Sequence, residues 1–353
     1  MGPSGVPVSG VETPLPAATL SRRMATVRTA ARLHFGFGNL SLAHARLYGG
    51  VGVTLDAPRL VVEADRAAPV TVTDETGASE SFRSTVESYA ERAADLLDVD
   101  GAALTVHERL PRHVGLGSGT QLALAVYAAT AAAHDRPVDV REAAPALGRG
   151  GRSGIGVAGF ESGGFLVDGG HPTSQFTTDR PADGEWTVPP VIARHELPED
   201  WRFVLVLPDA EPGRNGDNED ASMRAVVESA DPALADEISA VLTRRVLPAA
   251  ALGRRQEFGA ALAEIGRLNG AWYTDAQGGV FRPPVGRIVD ELGTHPAIDG
   301  VGQSSWGPTV YGLTHIDAVE SARAAGRDAL AVAGVDGDVL VAGPRNSGAT
   351  IER

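Results

Sequence analysis

The stretch from Leu110 to Ala125, LPRHVGLGSGTQLALA, constrains this chain more than any other. Before it, Gly101 to Arg109 reads as a short strand, with Leu104 and Val106 on one face and Thr105 and His107 on the other. After it, an Ala- and Leu-rich run to His134 reads as a helix. Between them Gly115, Gly117 and Gly119 fall at every second position around Ser118, which makes a strand, a glycine loop and a helix N-terminus. The first-turn N–H groups of a helix lack intrahelical partners and carry roughly +0.5 of an elementary charge from the macrodipole, so phosphate oxygens dock there readily. Glycines allow close backbone approach, while Ser118 and Thr120 can cap the helix or touch a metal-bound phosphate. An ordinary turn capped by Ser118 satisfies the same spacing, so the loop alone leaves both readings open.

Composition narrows the chemistry. All 31 basic residues are arginine and cysteine is absent, which removes disulfides, thiolate metal sites, Schiff-base lysines and a lysine-bearing Walker loop. With 45 acidic residues and a net charge of −14, the surface is acidic and argues against nucleic acid and anionic membranes as partners. Acid excess without lysine predicts a halophilic, cytoplasmic protein, with a merely acidic mesophilic one as the alternative. A polyphosphate site in such a chain must cancel the protein's own field locally, so its arginines are the candidates for anion binding.

A length of 353 residues predicts two domains. Residues 1–24, rich in Pro, Gly and Ser, read as a disordered tail, with Met24 directly before the first strand-like run. The division expected is 25–200 and 201–353. Ala25 to Leu33 reads as a strand, followed by His34-Phe35-Gly36-Phe37-Gly38-Asn39. Gly52 to Asp56, Arg59 to Ala64 and Val70 to Thr73 read as short strands broken at Pro58 and at polar residues. Ser84 to Leu97 and Arg141 to Leu147 read as helices.

Arg149-Gly150-Gly151-Arg152-Ser153-Gly154 is a second glycine-rich segment, and its arginines offer bidentate forks to phosphate. A hairpin of Ile155 to Phe160 with Gly163 to Asp168 is expected to hold it rigid, with Glu161 and Asp168 as candidate metal or general-base carboxylates. The proline-rich stretch His171 to Arg194 reads as a linker between domains. Arg202 to Leu207 reads as a buried strand opening the second domain. It leads into Asp209 to Asp220, where Arg214, Asp217, Glu219 and Asp220 form either a Mg²⁺ and phosphate loop or a solvated acidic one. Helices are expected at Leu234 to Pro248, Arg254 to Asn269, Val285 to Leu292 and Ile316 to Ala325. Strands are expected on either side of Gln303-Ser304-Ser305-Trp306-Gly307-Pro308 and near Val339 to Ala342.

Pro111, three spacers and Gly115-Leu116-Gly117-Ser118-Gly119 resemble the second motif of the GHMP kinase superfamily, P-x-x-x-G-L-G-S-S. Three further blocks are similar to one branch of it, the β-ribofuranosylaminobenzene 5′-phosphate synthases. These are Arg32-Leu33-His34-Phe35-Gly36; Gly151 to Gly156 with Phe160-Glu161-Ser162-Gly163-Gly164-Phe165; and Gly302 to Thr309. The resemblance spans about Arg32 to Leu313. It implies an α+β fold of the GHMP type, with an N-terminal domain like ribosomal protein S5 domain 2, a ferredoxin-like C-terminal domain, and the active cleft between them.

The reaction implied joins phosphoribosyl pyrophosphate to 4-aminobenzoate or 4-hydroxybenzoate, releasing CO₂ and pyrophosphate in methanopterin-type cofactor biosynthesis. Arg32, Arg152, Glu161 and Asp217 are its candidate catalytic residues. Pro111, Gly115, Leu116, Gly117, Ser118, Gly119, Thr120, Ser153, Gly154, Ser304, Ser305 and Trp306 are the candidate ligand-binding residues, and Ser118, Asp217 and Asp220 the candidate Mg²⁺ ligands. The expected partners are these small molecules, with a homodimer left open. Two alternatives remain: an ATP-dependent GHMP-type kinase acting on a small-molecule hydroxyl, against which the Ser-Ser-Trp-Gly-Pro wording of the third motif counts, and a phosphate-binding regulator without turnover.

Overall fold

This computed structural model describes residues 24–210 and 217–353, apart from the side chains of residues 217–220 and 276. Most of the stretch read as a tail, 1–23, lies outside the described residues.

The N-terminal half is built on an eight-stranded sheet. Strands β1 (Ala25–Asn39) and β2 (Arg46–Arg66) form its long antiparallel centre. β2 then pairs with β4 (Ala102–Glu108), which carries β3 (Thr71–Asp74) in parallel. β2 is one strand rather than the two expected. Pro58 lies within the stretch 55–58 that has no β1 partner in the register, and there a missing N–H costs no ladder bond.

Helix α1 (Glu80–Leu97) packs on α2 (Ser118–Ala133), and α2 lies against β1 and β2. Every residue of α2 from Gln121 to Ala133 is buried, which its alanine and leucine content permits on all sides at once. Gln121 is the polar tie inside this packing: it accepts from the Thr29 hydroxyl and donates to the carbonyl of Gly156 at 2.9 Å. The short α3 (Val140–Ala143) follows.

The expected hairpin strand Ile155 to Phe160 is instead helix α4 (Ile155–Ser162). A short run that is buried throughout carries no periodicity to separate strand from helix, so packing decides. A Cβ on Gly156 would sit 2.9 Å from Thr120 Cγ2, and one on Gly159 2.6 Å from Thr54 Oγ1. The two glycines let α4 press against α2 and β2.

The expected linker is also part of the fold. β5 (Phe165–Asp168) and β6 (His171–Pro172) pair with β2, and β7 (Val191–His195) pairs with β5; between them Phe176, Trp186 and Val188 are buried.

The C-terminal half has the ferredoxin-like order β–α–β–β–α–β. β8 (Trp201–Pro208), β9 (Gly300–Gln303), β10 (Val310–His315) and β11 (Gly337–Ala342) stand in the order β11-β8-β10-β9, antiparallel throughout. Between β8 and β9 run α5 (Asp217–Ser229), α6 (Pro232–Val241), a π-helical turn over residues 242–246, α7 (Leu247–Ala251), α8 (Arg255–Gln277) and α9 (Val285–Thr294). Helix α10 (Val319–Ala333) joins β10 to β11 and packs with α9 on this sheet. The last strand, β12 (Thr350–Glu352), returns to the first sheet and pairs with β1.

The main core is continuous across the halves. Phe35 of β1 stands edge-on to Tyr311 of β10 at 5.0 Å, and Phe165 of β5 to Phe258 of α8 at 5.2 Å.

Candidate active site

The glycine loop is held by the two blocks that flank it in space. Arg32 of β1 takes its backbone N–H to the carbonyl of Leu116 at 3.1 Å and its Nη1 to the carbonyl of Gly115 at 2.8 Å. From the other side, the Ser304 hydroxyl donates to Gly115 O at 2.8 Å and accepts from the N–H of His34 at 3.1 Å. The N–H of Ser305 reaches His34 O at 3.0 Å, and that of Thr309 reaches Val114 O at 3.3 Å. Three sequence blocks separated by up to 270 positions therefore form one unit.

The loop glycines are required here. Gly115 (φ +91°) and Gly117 (φ +79°) are left-handed, and a Cβ on Gly115 would lie 2.2 Å from Ser304 O. Gly117 caps α2, whose first turn opens onto a cleft of about 590 Å³.

Arginine dominates that cleft. Arg32 comes from β1, Arg92 from α1, Arg109 and Arg112 from the segment after β4, Arg149 and Arg152 from the second glycine segment, and Arg180 from the former linker. Among the described residues, Asp183 is the one carboxylate on its wall, and it is flanked by Arg180 at 3.2 Å and Arg92 at 3.4 Å. Aromatic rings steady several of the guanidinium groups: Arg149 lies 5.3 Å from the Tyr89 ring centre and Arg112 5.7 Å from that of Phe82. Burial, then the neighbouring Arg109, lowers the pKa of Arg112; burial, then Arg112, lowers that of His113. Burial accounts for most of each lowering, and the neighbouring guanidinium adds the smaller part, which a bound anion would relieve.

Of the expected ligand-binding residues, Gly115, Gly117, Ser118, Gly119, Thr120, Ser153, Ser305 and Trp306 line the cleft, as do Arg32 and Arg152. Leu116 is core, Ser304 is a buried strut, and Pro111 is not on the wall. The N–H of Gly154 is occupied by Asp168 at 2.8 Å.

Two carboxylate assignments need correction. Asp168 is 1% exposed and accepts from Gly154, Gly170 and the Ser153 hydroxyl, so it builds the second glycine segment from within. Burial raises its pKa, and those hydrogen bonds oppose the rise. Glu161, expected to be catalytic, is forked by Arg141 at 2.6–3.1 Å and is absent from the cleft wall. Its position at the C-terminal end of α4, a helix rather than a strand, turns it away. Asp217 and Asp220 stand in the first turn of α5, but their side chains, like all of Arg214, lie outside the described residues.

Sequence reasoning missed Arg92, Arg109, Arg112 and Arg180. Their signal was the lysine-free, acidic composition, which named arginine as the anion ligand without selecting which. It also missed His171, whose ring stacks on Phe176 at 3.7 Å and whose Nε2 meets Gly150 O at 3.2 Å, bracing the second glycine segment. Burial holds its pKa down to about 4.

Among the described residues no helix is long and apolar enough to cross a membrane.

Comparison with known proteins agrees with this construction. Residues 82–164, from α1 through the second glycine segment and α4, match the family model of the GHMP kinases N terminal domain. The chain is 35% identical to the beta-ribofuranosylphenol 5'-phosphate synthase of Methanothermobacter thermautotrophicus, over 92% of this chain and 97% of that one. It is 34% identical to the protein of the same name from Archaeoglobus fulgidus, over 93% and 100%. Among solved structures, mevalonate pyrophosphate decarboxylase from Streptococcus pyogenes superposes with a TM-score of 0.65 at 12% identity, covering 93% of this chain and 98% of that one, a likeness of fold alone.

Proposed function

The chain belongs to the beta-ribofuranosylphenol 5'-phosphate synthase family, a family of enzymes, and on that premise we propose that it transfers the ribosyl 5-phosphate group of phosphoribosyl pyrophosphate to a 4-substituted benzoate. The name of its relatives describes the product as a ribofuranosylphenol, which favours 4-hydroxybenzoate as the acceptor over 4-aminobenzoate. The product would feed a methanopterin-type cofactor.

The observation that carries this reading is the gathering of seven arginines, with one carboxylate among the described residues, on the wall of one cleft at a helix N-terminus, in a chain of net charge −14. Such a cleft suits a substrate bearing a diphosphate at one end and a phosphate at the other, brought to an acceptor that is itself an anion.

In the reaction the bond from the anomeric carbon to the pyrophosphate oxygen breaks, and the electron pair leaves with pyrophosphate. The N–H groups at the start of α2 and the guanidinium groups of Arg32, Arg149 and Arg152 take up the charge that grows there. The ring carbon bearing the carboxylate forms the new carbon–carbon bond. The pair from its bond to the carboxylate carbon then returns to the ring as CO₂ departs, so no external electron sink is needed. Arginines on the cleft wall hold the carboxylate in place until that step.

Mg²⁺ fits this wall as a companion of the diphosphate. Among the described residues no group of three His, Asp or Glu side chains converges on a metal position, whereas Mg²⁺ commonly takes phosphate oxygens, water and one or two protein oxygens. The Ser118 hydroxyl is the candidate protein ligand on the wall. Bound there, the ion would neutralise the departing pyrophosphate.

The test is release of CO₂ and pyrophosphate by purified protein given Mg²⁺, phosphoribosyl pyrophosphate and carboxyl-labelled 4-hydroxybenzoate or 4-aminobenzoate in potassium-rich buffer. Release of both products, each requiring both substrates, is expected. ATP turnover on a small alcohol without any need for phosphoribosyl pyrophosphate would refute the proposal in favour of a kinase.

A further inference from the structure

Beside the arginine cleft lies a second cavity of about 40 Å³, which shares Phe37, Ser305 and Trp306 with it. That is room for a water, a hydroxyl or an amino group and too little for a benzene ring. Its lining, among the described residues, carries no Asp, Glu or Arg and includes several aromatic rings, with Tyr273 and Trp306 packed at 4.5 Å.

Among the described residues, this lining holds one buried side-chain nitrogen without a hydrogen-bond partner. His34 is 4% exposed, and its Nε2 is buried with no hydrogen bond. The residue is otherwise firmly held: its N–H goes to Ser304, its carbonyl accepts from Ser305, and its ring meets that of Phe37 edge-on at 4.8 Å. Burial, and then Arg32, lowers its pKa to about 3, so the imidazole is neutral at physiological pH. A buried polar atom left unpaired costs free energy, and a water, an ion or a ligand group that reaches it removes that cost.

Gly266 of α8 also lines the cavity. It is buried, yet a Cβ there would meet no atom within 4 Å; one turn later, a Cβ on Gly270 would lie 2.1 Å from Val280 O. The first glycine leaves a space and the second fills a contact.

We propose that this cavity receives the para substituent of the aryl acceptor, with His34 Nε2 as its hydrogen-bond partner. The inference rests on the acceptor reading above. The para group and the carboxylate stand at opposite ends of the ring. With the substituent in the small cavity and the ring across its mouth against Trp306 and Phe37, the carboxylate carbon projects into the arginine cleft, where the anomeric carbon is released. A para hydroxyl donates to Nε2 and keeps its proton. As the ring carbon attacks, the hydroxyl releases electron density into the ring and becomes more acidic, so this hydrogen bond strengthens in the transition state. The size of the cavity makes it a filter against larger para groups.

The test uses full-length protein, titrated calorimetrically with Mg²⁺ and phosphoribosyl pyrophosphate and then with 4-hydroxybenzoate or benzoate. The wild type should bind the hydroxy acid about 5- to 20-fold more tightly than benzoate, the worth of one good buried hydrogen bond. His34→Phe should abolish that preference with phosphoribosyl pyrophosphate binding unchanged, and His34→Gln, whose amide oxygen can accept, should restore part of it. Gly266→Leu fills open space in a helix where leucine is a better former than glycine, so it should fold. It should weaken 4-hydroxybenzoate binding at least about 10-fold and spare phosphoribosyl pyrophosphate. An unchanged preference in both His34→Phe and Gly266→Leu, with turnover persisting, would overturn the para-pocket assignment and leave the proposed function standing. Failure of the wild type to bind either substrate would overturn both.

Discussion

Removing the Ser304 hydroxyl tests whether the third sequence block holds the glycine loop in place. Ser304 is wholly buried and bridges Gly115 O and the His34 N–H. In Ser304→Ala the Gly115 carbonyl keeps the Arg32 Nη1 bond at 2.8 Å, so it stays paired. The His34 N–H has no such substitute, and a buried donor left unsatisfied costs about 1–3 kcal/mol. With an unfolding entropy of about 2.1 cal/mol/K per residue, that loss lowers the Tm of a chain this long by about 1–4 °C. The larger effect should be on the ligand. Gly115 is released on one side, the loop must be re-ordered by the substrate, and phosphoribosyl pyrophosphate affinity should fall about 5- to 30-fold, one to two kcal/mol of ordering free energy. Calorimetric unfolding and titration measure the two numbers on the same preparation. A Tm within half a degree of wild type together with unchanged affinity would show that the strut does not support the loop.

The remaining predictions concern the cleft and its bracing. Arg152→Ala should lower phosphoribosyl pyrophosphate affinity by about 2–4 kcal/mol with little change in Tm, the loss of a charge-assisted bidentate contact; equal affinity in calorimetry would remove Arg152 from the site. Gly117→Val places a branched side chain at φ +79° with its Cβ 2.9 Å from Arg32 Cγ, and product release assays should show activity reduced more than about 100-fold while circular dichroism stays native. His171 has its folded pKa depressed to about 4 from an unfolded value of 6.5, so the unfolded chain binds its proton first and stability falls as pH drops from about 6.5 to 4. In urea titrations His171→Phe should flatten that slope relative to wild type, and a parallel slope would refute the assignment; the comparison cancels the opposite contribution of Asp168, whose pKa is raised.

Much of the scaffold was legible in the residues because it is local. The strand before Leu110 and the helix after Gly117 follow from alternation, an alanine-rich run and glycines at positions that the structure shows to be left-handed. The buried strand β8 is a short apolar run bounded by a tryptophan and a proline, and α9 and α10 carry apolar residues at helical spacing. The absence of lysine left arginine, before any fold was known, as the permanently cationic side chain available to meet an anion here. Where local signals were silent, packing decided. Ile155 to Phe160 is a helix because Gly156 and Gly159 admit Thr120 and Thr54 against its backbone, a contact that no spacing announces. Glu161 was drawn into the site by its neighbours in sequence and removed from it by Arg141, twenty positions away, which holds it on another face. Arg92, Arg112 and Arg180 lie far apart along the chain, and the cleft exists because α1, the glycine loop and the segment before Trp186 fold onto one another. Residue types and local periodicity thus determined the elements and the kind of chemistry, because short-range sterics and charge act within a few residues. Which side chains share a cleft was decided by tertiary structure alone, because convergence in space depends on how whole layers pack.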